Sequence, residues 1–342
     1  MLSGALQKAA DFMFGSGTAF VLIGAIIGGS LIGIALPGAG DMLSGQIDYT
    51  ILLLVFLLLF EVRVQNVLSS LNRIPFLAAT LIANFIIIPA LGFGLASAFM
   101  FAHPLFFIGL VIYFMAPCTD WFLGFTRLAK GNTALGAALL PINMIVQLLL
   151  YPVYLHLFGI DAIETGAGDI AQTLWQWFLV PLLAALILRF VAERILREDQ
   201  MQFVQNLVAL IVPLLLALLV GQIFAANIGT LISNIAIFPL ILCAIFLFFV
   251  LTFLLSEAIA KIMKLSYEDR VLMTMTTAAR NAPLMLAVTM VVIPDQPVVY
   301  AAIIIGMLVE FPHLVALKVI LERRRALGEE GVTEPHRNPL AR

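Results

Sequence analysis

Apolar residues fall into ten long runs along this 342-residue chain, approximately 17–36, 49–68, 74–98, 104–130, 133–158, 170–193, 203–225, 233–262, 270–293 and 297–320. Each is about the 20 residues that a helix needs to cross a hydrocarbon core of about 30 Å. The connections alternate in charge. One set holds Lys8; Arg63 and Arg73; Arg127 and Lys130; Arg189, Arg194 and Arg197; Lys261, Lys264 and Arg270; then Lys318, Arg323 to Arg325, Arg337 and Arg342. The other set (37–48, 99–103, 159–169, 226–232, 294–296) holds no Lys or Arg and carries Asp41, Asp48, Asp161, Glu164, Asp169 and Asp295. Basic residues stay on the cytoplasmic face, so both termini are expected in the cytoplasm of a plasma-membrane protein. Ten crossings require the same. The first run reads as an uncleaved helix, because it is long for a signal peptide's apolar region. Residues 326–342, rich in Gly, Glu, Pro and Arg, read as a disordered tail.

The expected fold is therefore an all-α integral membrane protein, one transmembrane unit over residues 1–325. Ten crossings suggest two five-helix repeats, about 17–158 and 170–320. A repeat with an odd number of crossings must recur inverted, an arrangement common among secondary transporters. Corresponding runs of the two halves are interrupted alike, the fourth by APCTD at 116–120 and the ninth by ARNAP at 279–283. Pro117 cannot donate to the carbonyl of Tyr113, nor Pro283 to that of Ala279. Non-helical backbone at membrane depth survives only where protein or a water-filled cavity satisfies it. Paired interruptions of this kind point to a transporter's binding site.

Composition narrows the classes. Hydrophobic residues make up 63% of the chain and charged residues 11%, with a mean hydropathy of +1.11. Soluble domains carry about 25% charged residues, so the chain is read as embedded in lipid. The basic residues line helix ends and form no continuous face, which argues against nucleic acid as a partner. Cys118 and Cys243 both lie in apolar runs, which argues against a disulfide framework.

One basic residue breaks the charge pattern. Arg280 lies ten residues beyond Arg270, about 15 Å at about 1.5 Å per residue, near the middle of the ninth run. An intramembrane arginine is costly and is read by default as functional. Asp120 lies ten residues before Lys130, at similar depth. If the two interrupted helices cross, Arg280 and Asp120 can meet. In the functional reading Arg280 binds an anionic or oxygen-rich substrate and Asp120 carries a proton; in the structural one they form a static ion pair. Cys118 is either a soft ligand for a thiophilic metalloid or a small residue allowing close helix approach. Thr119 and Asn281 flank the breaks. Asn143 and Gln147, four residues apart and so on one helix face, either line a polar path with Thr276 and Thr277 or hydrogen-bond between helices. Glu310 and His313 share a face of the tenth helix, with Glu310 a second candidate for proton coupling. Asn84 and Gln222 are isolated polar positions. No HExxH motif, paired intramembrane aspartates or nucleophile–base pair is present, so an enzyme is not expected. Neither a cofactor nor a resident metal is expected.

The stretch APCTDWFLGFTRLAKGNTALGAALLPINMIVQLLLYPVYL, 116–155, resembles the fourth and fifth helices of the arsenite permease branch of the bile acid:sodium symporter superfamily. PLLAALILRF at 181–190 and FEVR at 60–63 resemble its sixth and second helices. The resemblance implies ten helices in two inverted repeats. It also implies interleaved panel and core subdomains, with broken helices four and nine crossing in the core, and alternating access. It gives Cys118 of the Pro-Cys-Thr motif a role in transport. The chain is a divergent member by this reading. Where the permeases read Ser-Asn-Asn-Phe-Glu in the ninth helix, it has Ala279, Arg280, Asn281, Ala282 and Pro283; Asp120 follows Pro-Cys-Thr, where the family has a small residue. Thr276 stands where the bile acid branch has a sodium-caging glutamate. The expected activity is proton-coupled efflux of arsenite, antimonite or a related oxyanion or organoarsenical. The alternative is a sodium- or proton-coupled symporter of organic anions such as carboxylates or sulfates.

Overall fold

The computed structural model describes residues 17–61, 73–118, 121–158 and 180–326. Thr119 and Asp120 lie outside these residues. So do the first 16 residues, the end of the second run, the connection 159–169, the start of the sixth run and the tail from 327. The described residues are helical apart from short connections and one isolated bridge. Among them six helices are long and apolar enough to cross a membrane, or seven if one bent pair is a single span.

In chain order, α1 is Thr18–Ala35, α2 Pro37–Ser44 and α3 Ile47–Phe60. α4, Ile74–Ile82, continues through a π turn, Ala83–Ile87, into α5, Ile88–Met100. The fourth run forms two helices, α6, Pro104–Met115, and α7, Trp121–Leu128. α8 is Thr133–Leu157, α9 Val180–Ile195, α10 Glu198–Ser233 and α11 Phe238–Ile262. The ninth run is split into α12, Tyr267–Ala278, and α13, Ala282–Val292; α14 is Pro297–Ala326.

Two elements depart from the pattern of runs. The acidic connection after the first run contains a helix, α2, that packs on α10; Pro37 opens it, at a position where a missing N–H costs nothing. α10 covers 36 residues in two stretches that meet at a kink at Asn227, well beyond the run 203–225. Glu198 and Asp199 in its first turn suit the positive end of its dipole. Near the other end Asn227 has non-helical angles (φ −125°, ψ 17°), and its side-chain amide donates to the Ile223 carbonyl at 3.0 Å.

Packing sorts the helices. α1, α2 and α3 pack on α10, and α9 on α3. The α1–α10 contact is close because glycines face it: a Cβ at Gly29 or Gly33 would collide with the backbone of Gly221 or Ala225. Small residues let apolar helices approach where lipid supplies no hydrophobic drive between them. Around α14 gather α6, α11, α12 and α13, with the Tyr113 ring of α6 seated against Gly306 of α14.

Several of the basic connections meet at one end of the molecule. Arg73 pairs with Asp269, which also accepts from the Asn132 amide at 2.9 Å. Glu257 of α11 receives both Arg270 of α12 and Arg324 of α14. Arg325 lies over the Tyr267 ring, and the Tyr267 hydroxyl donates to the Ala129 carbonyl at 2.9 Å.

Candidate functional site

α6 ends at Met115 and α12 at Ala278, and beyond each the chain becomes extended: Ala116 has φ −103° and ψ 109°, Ala279 φ −74° and ψ 141°. The two extended segments pair antiparallel as a bridge between Pro117 and Arg280. The Cys118 N–H donates to the Ala279 carbonyl and the Asn281 N–H to the Ala116 carbonyl, both at 3.0 Å. These two bonds satisfy backbone that hydrocarbon would leave orphaned. Pro117 belongs to the bridge. Pro283 does not: it lies in the first turn of α13, where proline is tolerated.

On one face of the bridge lies Arg280, with no accessible surface. Its guanidinium donates to the Phe114 carbonyl at 3.1 Å and to the Thr277 and Thr276 carbonyls at 2.6 and 3.4 Å. All three are among the last four carbonyls of α6 and α12, which no intrahelical donor can reach. Among the described residues the Nε has no partner. The guanidinium carbon is 5.7 Å from the centre of the Phe248 ring, which stacks on Phe114. Glu310, 2% exposed, meets the break from α14: one carboxylate oxygen accepts the Arg280 backbone N–H at 3.0 Å and the other the Tyr113 hydroxyl at 3.2 Å. His313, one turn on, stacks on Phe249 with ring centres 4.1 Å apart.

The other face is a cluster of neutral amides. Asn84, on the π turn, donates to the Thr276 hydroxyl at 3.3 Å. Asn143 of α8 reaches the same hydroxyl and the Cys118 carbonyl, each at 3.5 Å. Among the described residues the side-chain oxygens of Asn84 and Asn143 have no partner, and neither polar atom of the buried Gln147 has one. The π turn is what brings Asn84 in; such turns recur at functional sites. Its irregular backbone is partly held by Tyr154, whose hydroxyl donates to the Phe85 carbonyl at 2.5 Å. Thr277 instead folds back, donating to the Met273 carbonyl at 2.7 Å.

The structure thus brings Cys118, Asn143, Thr276, Arg280, Asn281 and Glu310 to one crossing. Thr119 and Asp120 fall outside the described residues. Tyr113, Phe248 and the role of Asn84 were missed by sequence reading. A lone asparagine in an apolar span was a usable signal; nothing in the sequence marked the two aromatic rings. Among the described residues no group of three or more His, Cys, Asp or Glu could hold a metal ion.

The described residues are helical and apolar, as suits a membrane protein. The model of the Sodium Bile acid symporter family matches residues 49–234. The chain belongs to this family. It is also 25% identical over 255 residues to the arsenical-resistance protein Acr3 of Corynebacterium glutamicum, an alignment covering 70% of this chain and 68% of that protein. As a member of the family the chain is a multi-pass membrane transporter, and the crossing is its candidate substrate site.

Proposed function

We propose that this transporter exports a trivalent metalloid hydroxide, arsenite or antimonite, in exchange for protons. The observation that carries the reading is the amide face of the crossing. It offers unpaired lone pairs on Asn84 and on Asn143, which reaches the carbonyl of the buried Cys118, with those of Gln147 one turn further along α8. Lone pairs ask for a ligand that brings O–H donors. Arsenous acid, uncharged at neutral pH, brings three, and its arsenic is a soft centre that a cysteine sulfur can ligate. The likeness to a protein named for arsenical resistance points the same way. Thr119 and Asn281 complete the substrate set, and the Arg280 Nε–H is a guanidinium donor left for a substrate oxygen. Glu310 and Asp120 carry the coupling proton, with Thr277 on the flank of the polar path.

The reading includes ten crossings in two inverted repeats, with both termini cytoplasmic in the plasma membrane. The antiparallel pairing of the two breaks supports the inversion. The shared end of Arg73, Arg270 and Arg324 supports the orientation. α1–α3, α9 and α10 form the panel and the remaining helices the core, one rocking against the other.

The test is metalloid accumulation in cells stripped of their own arsenic exporters. Expression of the chain lowers accumulation, and Cys118→Ala and Asp120→Asn each restore it without loss of protein from the membrane. Unchanged accumulation with good expression overturns the reading in favour of organic-anion transport, for which the uncommitted donor on Arg280 is the specific support.

A further inference from the structure

We infer that Arg280 is a tethered cation, its guanidinium occupying the place that a mobile alkali cation would take at the facing ends of two helices, so that neutralising residue 280 creates a cation requirement. The inference concerns the ion at the crossing and holds whatever the substrate.

The charge count comes from the helices. Each C-terminus carries roughly half a negative elementary charge. α6 and α12 end against one another at the bridge, so their two ends together present about one negative charge. They do so where no solvent reaches, since Arg280 is fully buried. The guanidinium lies against both ends, while α13, opening at Ala282, turns its positive end to the same crossing and Glu310 adds a carboxylate.

The bonding agrees with the count. Among the described residues the guanidinium has three acceptors, all backbone carbonyls: Phe114 from α6 and Thr276 and Thr277 from α12. Oxygens of this kind at half-helix C-termini are the groups that coordinate cations in transporters. The Phe248 ring adds an aromatic face that favours a cation. The Glu310 carboxylate takes the Arg280 backbone N–H and the Tyr113 hydroxyl, so the guanidinium is held mainly by helix ends. An arginine serving only as a carboxylate's partner would be bonded to the carboxylate through its side chain.

Arg189 shows the contrasting arrangement. It too caps a helix end, donating to the Phe60 carbonyl of α3 at 2.6 Å, but its Nε is bound to Glu193 at 2.9 Å. There one helix end and one carboxylate share the charge. At Arg280 two helix ends share it.

The test compares the thermal unfolding of purified wild type, Arg280→Lys and Arg280→Gln without substrate, in choline, sodium, potassium or guanidinium chloride at one ionic strength and non-denaturing concentration. The wild type and Arg280→Lys are expected to unfold at the same temperature in choline as in sodium or potassium. Arg280→Gln is expected to gain several degrees in sodium, potassium or guanidinium over choline. An Arg280→Gln protein indifferent to all of these cations overturns the inference, and so does a sodium-specific gain in the wild type. If Arg280→Gln cannot be purified in choline, its recovery from membranes is the readout. Recovery only with the small cations supports the inference, and equal loss in every salt, with Arg280→Lys intact, overturns it. Because no substrate is present, failure here is separate from failure of the metalloid reading.

Discussion

The two faces of the helix crossing are built on opposite principles. On the Arg280 face a full charge is buried and its hydrogen bonds go to carbonyls that needed donors. On the amide face uncharged groups are buried and several of their polar atoms have no partner. The first face is costly to disturb because a charge and several acceptors depend on each other. The second is strained as it stands: a buried polar atom without a partner costs about 1–3 kcal/mol. A guest that supplies the missing partners recovers that energy. The contrast separates a face that mainly holds the crossing together, with one Arg280 donor to spare, from a face whose atoms mostly await a substrate.

Substitutions can break that contrast. The largest effect is expected from Arg280→Ala. Losing even two hydrogen bonds from a charged donor, at about 1.5 kcal/mol each, implies a drop in transport of about 100-fold, with a lower unfolding temperature. Near-normal transport by the variant would mean that the charged face is dispensable. Glu310→Gln comes next. The amide oxygen can still accept the Arg280 N–H, so the fold is expected to persist while transport falls about tenfold, the scale of about 1.4 kcal/mol, and stops responding to an imposed pH gradient. Vesicles in which the variant still follows the gradient would remove Glu310 from the coupling path. The smallest effect, of opposite sign in stability, is expected from Gln147→Leu. Deleting two unpartnered polar atoms should stabilise the protein by about 1 kcal/mol while raising the KM for metalloid. A destabilised Gln147→Leu protein would show that the amide face is a structural network like the other.

Proline illustrates how much of the site could be read from the sequence. Pro117 and Pro283 both marked broken runs, and both runs are broken. Yet Pro141, Pro152 and Pro312 lie inside continuous helices, and Pro283 itself sits in a helix's first turn. Proline with polar neighbours does not by itself mark a break, since Pro312 lies between Glu310 and His313 within α14; what distinguishes the two breaks is that each supplies backbone partners to the other. Arg280 was legible as an anomaly of depth. Its partners were not, since they are main-chain oxygens that every residue has and no sequence pattern singles out.

Hydropathy, proline and the placement of charge by themselves determined a helical membrane protein with runs interrupted near 117 and 280, because the cost of exposing polar backbone to lipid is written into local composition. Tertiary structure alone decided that the two interruptions pair across a bridge, that Asn84 joins them through a π turn, and that the buried guanidinium lies on the ends of two helices. Those outcomes depend on which segments, more than 100 residues apart in the chain, come within a hydrogen bond of each other. Close packing at glycines and the need to satisfy every buried carbonyl select that arrangement, and neither is a property of a local stretch of sequence.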